Sequence, residues 1–263
     1  MKQPPSQRGS RAIRLLNGLL SNRALISILR HTPEGPKSWM KRQYWKFRIS
    51  SGSAIVAAED LTHKYREAML WLRGGEGRGP IGDYLEFGVF NGTSLACMHS
   101  VVEELQLKDV RLFGFDSFEG LPETAGLESD GLWSAGQFQL DYEYTRKWLT
   151  RQGVDWTRVH LVKGWFKDTL TPELVDKYKI KRAGVIMIDS DLYSSAREAL
   201  SFCAPLIVDR AAIFFDDWFP LADKQMGERK AFDEFMAANP ELSATDMGSY
   251  DETSKVFYIT RQA

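Results

Sequence analysis

Four aspartates in two short clusters carry the strongest chemical signal in this 263-residue sequence. Val185-Ile-Met-Ile188 runs into Asp189-Ser190-Asp191, and Ala212-Ile-Phe-Phe215 runs into Asp216-Asp217. An apolar run that ends in acid is the pattern of a buried strand stopping where the chain meets a ligand edge. If the two strands are neighbours, four carboxylates converge, and like charges in a crevice force either raised pKa values or a bound cation. An all-oxygen donor set selects Mg2+, Ca2+ or Mn2+ over zinc. The competing reading is a set of separate strand-end aspartates capping helices, a common use of Asp.

Two further segments could hold an organic ligand. Glu86-Phe-Gly88-Val-Phe-Asn91-Gly92-Thr93 follows an apolar run, and its small residues let a ligand approach the backbone at a helix N-terminus, where N–H groups are free. The spacing is E-x-G-x-x-x-G, which is not the G-x-G-x-x-G dinucleotide fingerprint, and a plain strand-to-helix turn explains it equally well by itself. Asp116 closes the run Val110-Arg-Leu-Phe-Gly-Phe115. An acid there can accept hydrogen bonds from both ribose hydroxyls of a nucleoside, or simply face solvent at a strand end.

The elements that must position these residues alternate. Apolar runs at 85–90, 110–115, 159–162, 185–188 and 211–215 read as strands, and residues 94–105, 142–151, 194–202 and 226–238 have helical periodicity. That order predicts an α/β fold, a mainly parallel sheet with helices on both faces. Residues 241–259 hold two strand-like pieces around Gly248 and Asp251, which predicts a closing antiparallel hairpin. With 43% hydrophobic and 26% charged residues, the chain is globular rather than disordered or collagen-like.

The net charge of −1 conceals an asymmetry, because 11 of the 34 basic residues but only one of the 35 acidic ones fall within residues 1–50. We therefore expect a basic helical extension over residues 1–55 and an acidic main domain over residues 56–263. Residues 11–30 place Ala12, Leu15, Leu16, Leu19 and Leu20 on one helical stripe, suited to packing on the main domain or a partner subunit, with a membrane surface or an organellar transit role as alternatives. Trp39, Tyr44, Trp45 and Phe47 add an aromatic cluster, but no nucleic-acid-binding signature accompanies it, so no nucleic-acid partner is expected. A secretory signal is not expected, and Cys97 and Cys203 read as reduced residues in apolar helices. His31, His63, His99 and His160 have neither metal-ligand nor triad spacing.

Taken together, Leu85-Glu-Phe-Gly-Val-Phe-Asn-Gly-Thr-Ser94, Gly114-Phe-Asp-Ser-Phe-Glu-Gly-Leu-Pro122, Ile188-Asp-Ser-Asp-Leu-Tyr193 and Phe215-Asp-Asp-Trp218 resemble the macrocin O-methyltransferase family. These are class I S-adenosylmethionine-dependent enzymes that methylate sugar hydroxyls of natural products. The looser Gly164-Trp-Phe-Lys-Asp-Thr-Leu170 also matches, and the resemblance spans roughly residues 60–260. It implies a Rossmann-like methyltransferase fold for residues 56–263 and two cofactors, S-adenosylmethionine and Mg2+. It also implies that Glu86, Gly88, Asn91, Thr93, Ser94, Asp116, Ser117, Gly164, Trp165 and Phe166 bind S-adenosylmethionine, with Asp116 on the ribose and Ser117 and the 164–166 turn near the adenine. Asp189, Asp216 and Asp217 are then the Mg2+ ligands, and Asp191 the general base. Residues 125–140, with Trp133 and Phe138, match no family motif and are expected to form an acceptor-side lid.

A sugar hydroxyl is too weak an acid to attack unaided at neutral pH, and metal coordination lowers the pKa of a bound oxygen by many units. Two adjacent hydroxyls chelating one cation would align the attacking oxygen, so a vicinal diol, here a glycosylated small molecule, is the expected acceptor. A catechol-like phenolic diol fits the same argument. Asp189-x-Asp191 also resembles the nucleophile motif of haloacid-dehalogenase-type phosphatases, although Tyr193 stands where that motif has Thr. A non-catalytic scaffold is the third reading. Cytoplasmic location and a homo-oligomer complete the expectations.

Overall fold

A computed structural model of the protein describes residues 57–74 and 79–262. These belong to Ala54–Ala263, one of two compact units into which the chain divides. The basic segment, with the helix expected over residues 11–30 and the aromatic cluster that follows, lies outside the described residues.

The described residues begin with helix α1 (Ala58–Arg73) and then alternate: β1 (Asp83–Phe87), α2 (Thr93–Glu104), β2 (Leu112–Asp116), the short α3 (Ala125–Glu128), α4 (Tyr142–Arg151) and β3 (Val159–Lys163). The short α5 (Phe166–Thr169), α6 (Pro172–Tyr178), β4 (Ala183–Ile188), α7 (Tyr193–Cys203), β5 (Arg210–Phe215), α8 (Gly227–Ala238), β6 (Leu242–Asp246) and β7 (Lys255–Arg261) complete the order. The seven strands form one sheet in the order β3-β2-β1-β4-β5-β7-β6. β1 to β5 run parallel, while β7 lies antiparallel between β5 and β6, which makes the expected hairpin.

The central strands are apolar on both faces because helices cover both. Leu85, Phe87, Ile186, Ile188, Ile213 and Phe215 pack with Ala196, Leu200, Phe232 and Phe235 of α7 and α8. Tyr84, Leu112, Val185, Met187, Ala212 and Phe214 pack with Leu61, Tyr65, Met69, Leu95 and Met98 of α1 and α2. The helix presumed around His63 is α1, whose buried Leu61, Tyr65, Ala68, Met69 and Leu72 recur at helical spacing. The Arg210 guanidinium anchors its end by donating to the Leu72 carbonyl at 2.7 and 3.1 Å. α6 was not among the expected helices, although Thr171-Pro172 carries a start signal, the Thr171 hydroxyl accepting from the Leu174 N–H. Cys97 and Cys203 are free thiols.

The strand order reverses at β1, so the carboxyl ends of β1 and β4 border the crevice where open α/β sheets bind ligands. Gly88, just past β1, has φ +94°, and a Cβ there would lie 1.7 Å from the Asp189 carbonyl oxygen. Period-two alternation also points Tyr84 and Glu86 to one face of β1. The Tyr84 hydroxyl donates to Glu86 Oε2 at 2.6 Å, Ser94 Oγ donates to Oε1 at 2.6 Å, and the Tyr65 hydroxyl lies 2.9 Å from that of Tyr84. Burial pushes the Glu86 carboxyl up to about 8, against the hydrogen bonds from Ser94 and Tyr84.

Gly88→Ala is expected to cost about 3 kcal/mol or more in urea unfolding, because backbone rather than a flexible side chain must move. Gly153→Ala, at φ +81° in open space, is the control and should cost about 1 kcal/mol, the strain of a left-handed residue alone. Equal losses contradict the close approach. For Glu86 the folded carboxyl binds a proton that the unfolded chain releases above the ordinary value of 4.5, so its effect on stability falls as pH rises from 4.5 to about 8. The melting temperature of Glu86→Gln should therefore gain on the wild type across that window. An offset that does not grow with pH contradicts a buried, protonated Glu86.

Candidate active site

Residues 88–92 turn the chain from β1 into α2, and Asp116 at the end of β2 holds that turn in place. Asp116 Oδ2 accepts the Val89 and Phe90 N–H groups at 2.8 and 2.9 Å, and Oδ1 accepts the Phe118 N–H at 2.6 Å. These bonds oppose the burial that raises its pKa. Oδ1, with one donor, retains capacity for another hydrogen bond. Asn91 Oδ1 accepts from both the Thr93 N–H and the Thr93 hydroxyl, which closes the turn onto α2.

A cavity of about 690 Å³ opens at these loops. Gly88, Asn91, Thr93, Ser94, Asp116, Ser117, Trp165 and Phe166 line it, and so do Asp189, Asp191, Asp216 and Asp217. The structure therefore brings together all the residues singled out from the sequence except two. Glu86 stands behind the wall, bonded to Tyr84 and to Ser94, which does line the cavity. Gly164 also lies behind the lining, its N–H donating to the Asp116 carbonyl at 3.0 Å. His99 and His160 lie elsewhere, the first accepting the Asp155 N–H and the second stacked on Phe113.

Asp189, Asp216 and Asp217 each offer a carboxylate oxygen, all within 4.8 Å of one another. Burial raises the Asp216 carboxyl to about 7, with the Asp217 charge adding to it, and burial raises Asp217 to about 6. Asp189 is pushed well above the ordinary range by burial and then by Asp216, and Asp191 by burial and then by Asp217. A hydrogen bond between Asp191 and Asp217 needs one of the two carboxyls to keep its proton. Crowded acids of this kind either retain protons or take a cation, and the oxygen-only donor set fits a hard divalent ion. Asp191 stands outside the triad of close oxygens and has φ +61°, a left-handed conformation uncommon outside glycine.

Two residues that the sequence did not single out reach this cluster. Tyr250, in the β6–β7 connection, donates its hydroxyl to Asp216 Oδ1. Glu228, in the first turn of α8, accepts the Ser190 N–H at 3.2 Å and the Asp217 N–H at 3.1 Å. Neither lies in a motif, and an acid in a helix's first turn is ordinary. Across the cavity, residues 125–140 cover one side, with Trp133 and Phe138 in its lining. This segment is tied down by Glu128 Oε2, which accepts the Ser194 N–H at 3.0 Å, and by the Asp130–Lys224 ion pair. Phe138 stands edge-on to Phe90 and Trp133, at centroid separations of 6.1 and 5.7 Å. Among the described residues, the buried side-chain atoms without a hydrogen-bond partner are Trp133 Nε1 and Ser190 Oγ, both on residues that line the cavity.

The sequence aligns with a protein described as 8-demethyl-8-(2,3-dimethoxy-alpha-L-rhamnosyl)-tetracenomycin-C 4'-O-methyltransferase from Streptomyces olivaceus. The two are 31% identical over 147 residues, covering 53% of this chain and 54% of that protein. Mycinamicin III 3''-O-methyltransferase from Micromonospora griseorubida is 23% identical over 148 residues, 53% of this chain and 56% of its own. The matched region thus spans just over half the length of these curated relatives. Among solved structures, the calicheamicin methyltransferase CalS11 superposes with a TM-score of 0.61 at 17% identity, over 99% of this chain and 97% of that one. The O-methyltransferase NovP gives 0.59 at 20% identity, over 78% and 80%. These likenesses establish the fold as the Rossmann-like fold of class I methyltransferases, and the phosphatase reading fails with it, since Asp189-x-Asp191 follows the fourth strand rather than the first. The profile of the macrocin-O-methyltransferase (TylF) family matches residues 78–258, and the chain belongs to that family.

Proposed function

We propose that the protein transfers a methyl group from S-adenosylmethionine to one hydroxyl of a vicinal diol on a glycosylated small molecule, with Mg2+ at the aspartate triad. The observation that carries this reading is the shared cavity, in which the 88–94 turn, Asp116 and four carboxylates face one space. The names of the relatives, which act on a rhamnosyl tetracenomycin and on mycinamicin III, support a glycoside as acceptor. Cytoplasmic location and homo-oligomeric assembly belong to the same proposal. No helix among the described residues is long and apolar enough to cross a membrane.

Each residue has a task in this scheme. Asp116 offers its remaining acceptor capacity to a ribose hydroxyl, and Ser117, Trp165 and Phe166 bound the adenine end. Asp189, Asp216 and Asp217 hold the cation, which when bound supplies Lewis acidity to a hydroxyl that ordinarily ionises far above neutral pH. With the charge of the triad neutralised, the like-charge repulsion on Asp191 falls and this carboxylate can accept the hydroxyl proton. The hydroxyl oxygen gains the methyl group, its proton passes to Asp191, and S-adenosylhomocysteine leaves as a neutral thioether. Trp133 and Phe138 exclude water over the acceptor. A ligand that satisfies the unpaired Trp133 Nε1 or Ser190 Oγ recovers the roughly 1–3 kcal/mol that a buried orphan group costs. The aromatic wall of Phe90, Trp133 and Phe138 also suits a phenolic diol, so catechols belong in the acceptor panel.

Calorimetric titration should show micromolar binding of S-adenosylhomocysteine, and methyl transfer to a panel of glycosides should require Mg2+ and stop in EDTA. Asp216→Asn should lower turnover by about a thousandfold, corresponding to several kcal/mol of Lewis-acid stabilisation. Its melting temperature in EDTA should equal or exceed that of the wild type, because a crowded buried charge is removed. A substantially active Asp216→Asn enzyme contradicts the metal role, and an unfolded one makes Asp216 structural. Absence of S-adenosylhomocysteine binding by folded protein contradicts the methyltransferase reading itself.

A further inference from the structure

We infer that Glu228 is a positioning residue, a buried bridge that sets the separation of the two acidic loops so that their carboxylates can share one cation. The inference rests on the cation reading of the triad.

The bonds of the sheet carry the acidic loops only part of the way. The Asp189 N–H donates to the Phe87 carbonyl at 2.9 Å, and the Asp216 N–H donates to the Ile188 carbonyl at 3.0 Å. One residue further along each chain, the ladder has ended. The next N–H groups, of Ser190 and Asp217, both turn to the same side chain, Ser190 to Glu228 Oε1 and Asp217 to Oε2. One carboxylate therefore joins the loop after β4 to the loop after β5, at the positions where the backbone of the sheet no longer joins them. Asp217 is itself a member of the triad, and Ser190 lies between Asp189 and Asp191.

The setting of Glu228 is costly without such a task. Its side chain is fully buried, and the nearby acids repel it. A buried carboxyl group persists where specific hydrogen bonds offset part of its desolvation. Here the offset comes from two backbone donors and from the N-terminal end of α8. The start of α8 lies beside the site, since a Cβ on the preceding Gly227 would stand at ordinary contact distance, 3.7 Å, from the Asp191 carbonyl oxygen. Partners one layer behind the ligands typically change metal affinity by about 10–100-fold when altered.

Mn2+ binding, followed by the electron paramagnetic resonance of the free ion, tests this without reference to turnover. Glu228→Gln keeps the volume but turns an amide N–H2 toward one of the two backbone donors, so its Mn2+ dissociation constant should rise about 10–100-fold. Glu228→Asp keeps the carboxyl group and shortens the reach, so it should weaken Mn2+ as well, whereas a role that needs only an acid at this position would leave it at the wild-type value. Both variants should keep the wild-type melting temperature in EDTA within a few degrees. Wild-type affinity in either variant overturns the positioning role and leaves the cation reading intact. Unfolding of both in EDTA overturns it in favour of a structural role. Failure of the wild type itself to bind Mn2+ removes the cation reading and this inference together.

Discussion

The contact between Gly88 and the Asp189 carbonyl is the constraint on which the rest of the site depends. β1 and β4 are neighbours in the sheet although they are far apart in sequence, and at their carboxyl ends the two chains approach until no side chain fits at residue 88. That approach sets the glycine turn beside the acidic loop, so a ligand lying along one is adjacent to the other. Asp116 then fixes the free side of the turn through the Val89 and Phe90 N–H groups. Its carboxylate is first a clamp on the backbone, and only its residual capacity is available to a ligand.

The second constraint is electrostatic. Collecting carboxylates at the edge of an apolar sheet is unfavourable, and the protein meets the cost with fixed donors. Tyr250 donates to Asp216, and the backbone N–H groups of Ser190 and Asp217 turn to Glu228. Behind the opposite wall, Tyr65, Tyr84 and Ser94 surround Glu86 in the same manner. These networks bear on where an ion and a cofactor sit, because Tyr250 and Glu228 hold the acidic loops from behind the cavity lining.

Strands buried on both faces read as apolar runs, and the acids that terminate β2, β4 and β5 are conspicuous against them, so the parallel core and most cavity-lining residues were legible in the sequence. The direction of Glu86 was readable too, since alternation along β1 pairs it with Tyr84 on one face, yet its place in a glycine motif suggested a ligand contact instead. Other features left no local trace. Glu228 reaches Ser190 from 38 residues away and Tyr250 reaches Asp216 from 34, and nothing in residues 226–230 or 248–254 distinguishes a helix start or a turn from a partner of the site. The ties of the 125–140 segment to Ser194 and Lys224 are likewise set by tertiary placement rather than by pattern.

The glycine turn and the aspartate triad line one cavity, and in the proposed function the cofactor and the cation are held there side by side. Nuclear magnetic resonance of S-adenosylhomocysteine bound to the protein, recorded as Mn2+ is added, tests that arrangement most directly, because a paramagnetic ion broadens only nearby protons. Strong broadening of the bound ligand's resonances is expected in the wild type, and its loss in Asp216→Asn at the same Mn2+ concentration. Bound S-adenosylhomocysteine whose lines stay sharp while Mn2+ saturates the protein would contradict it.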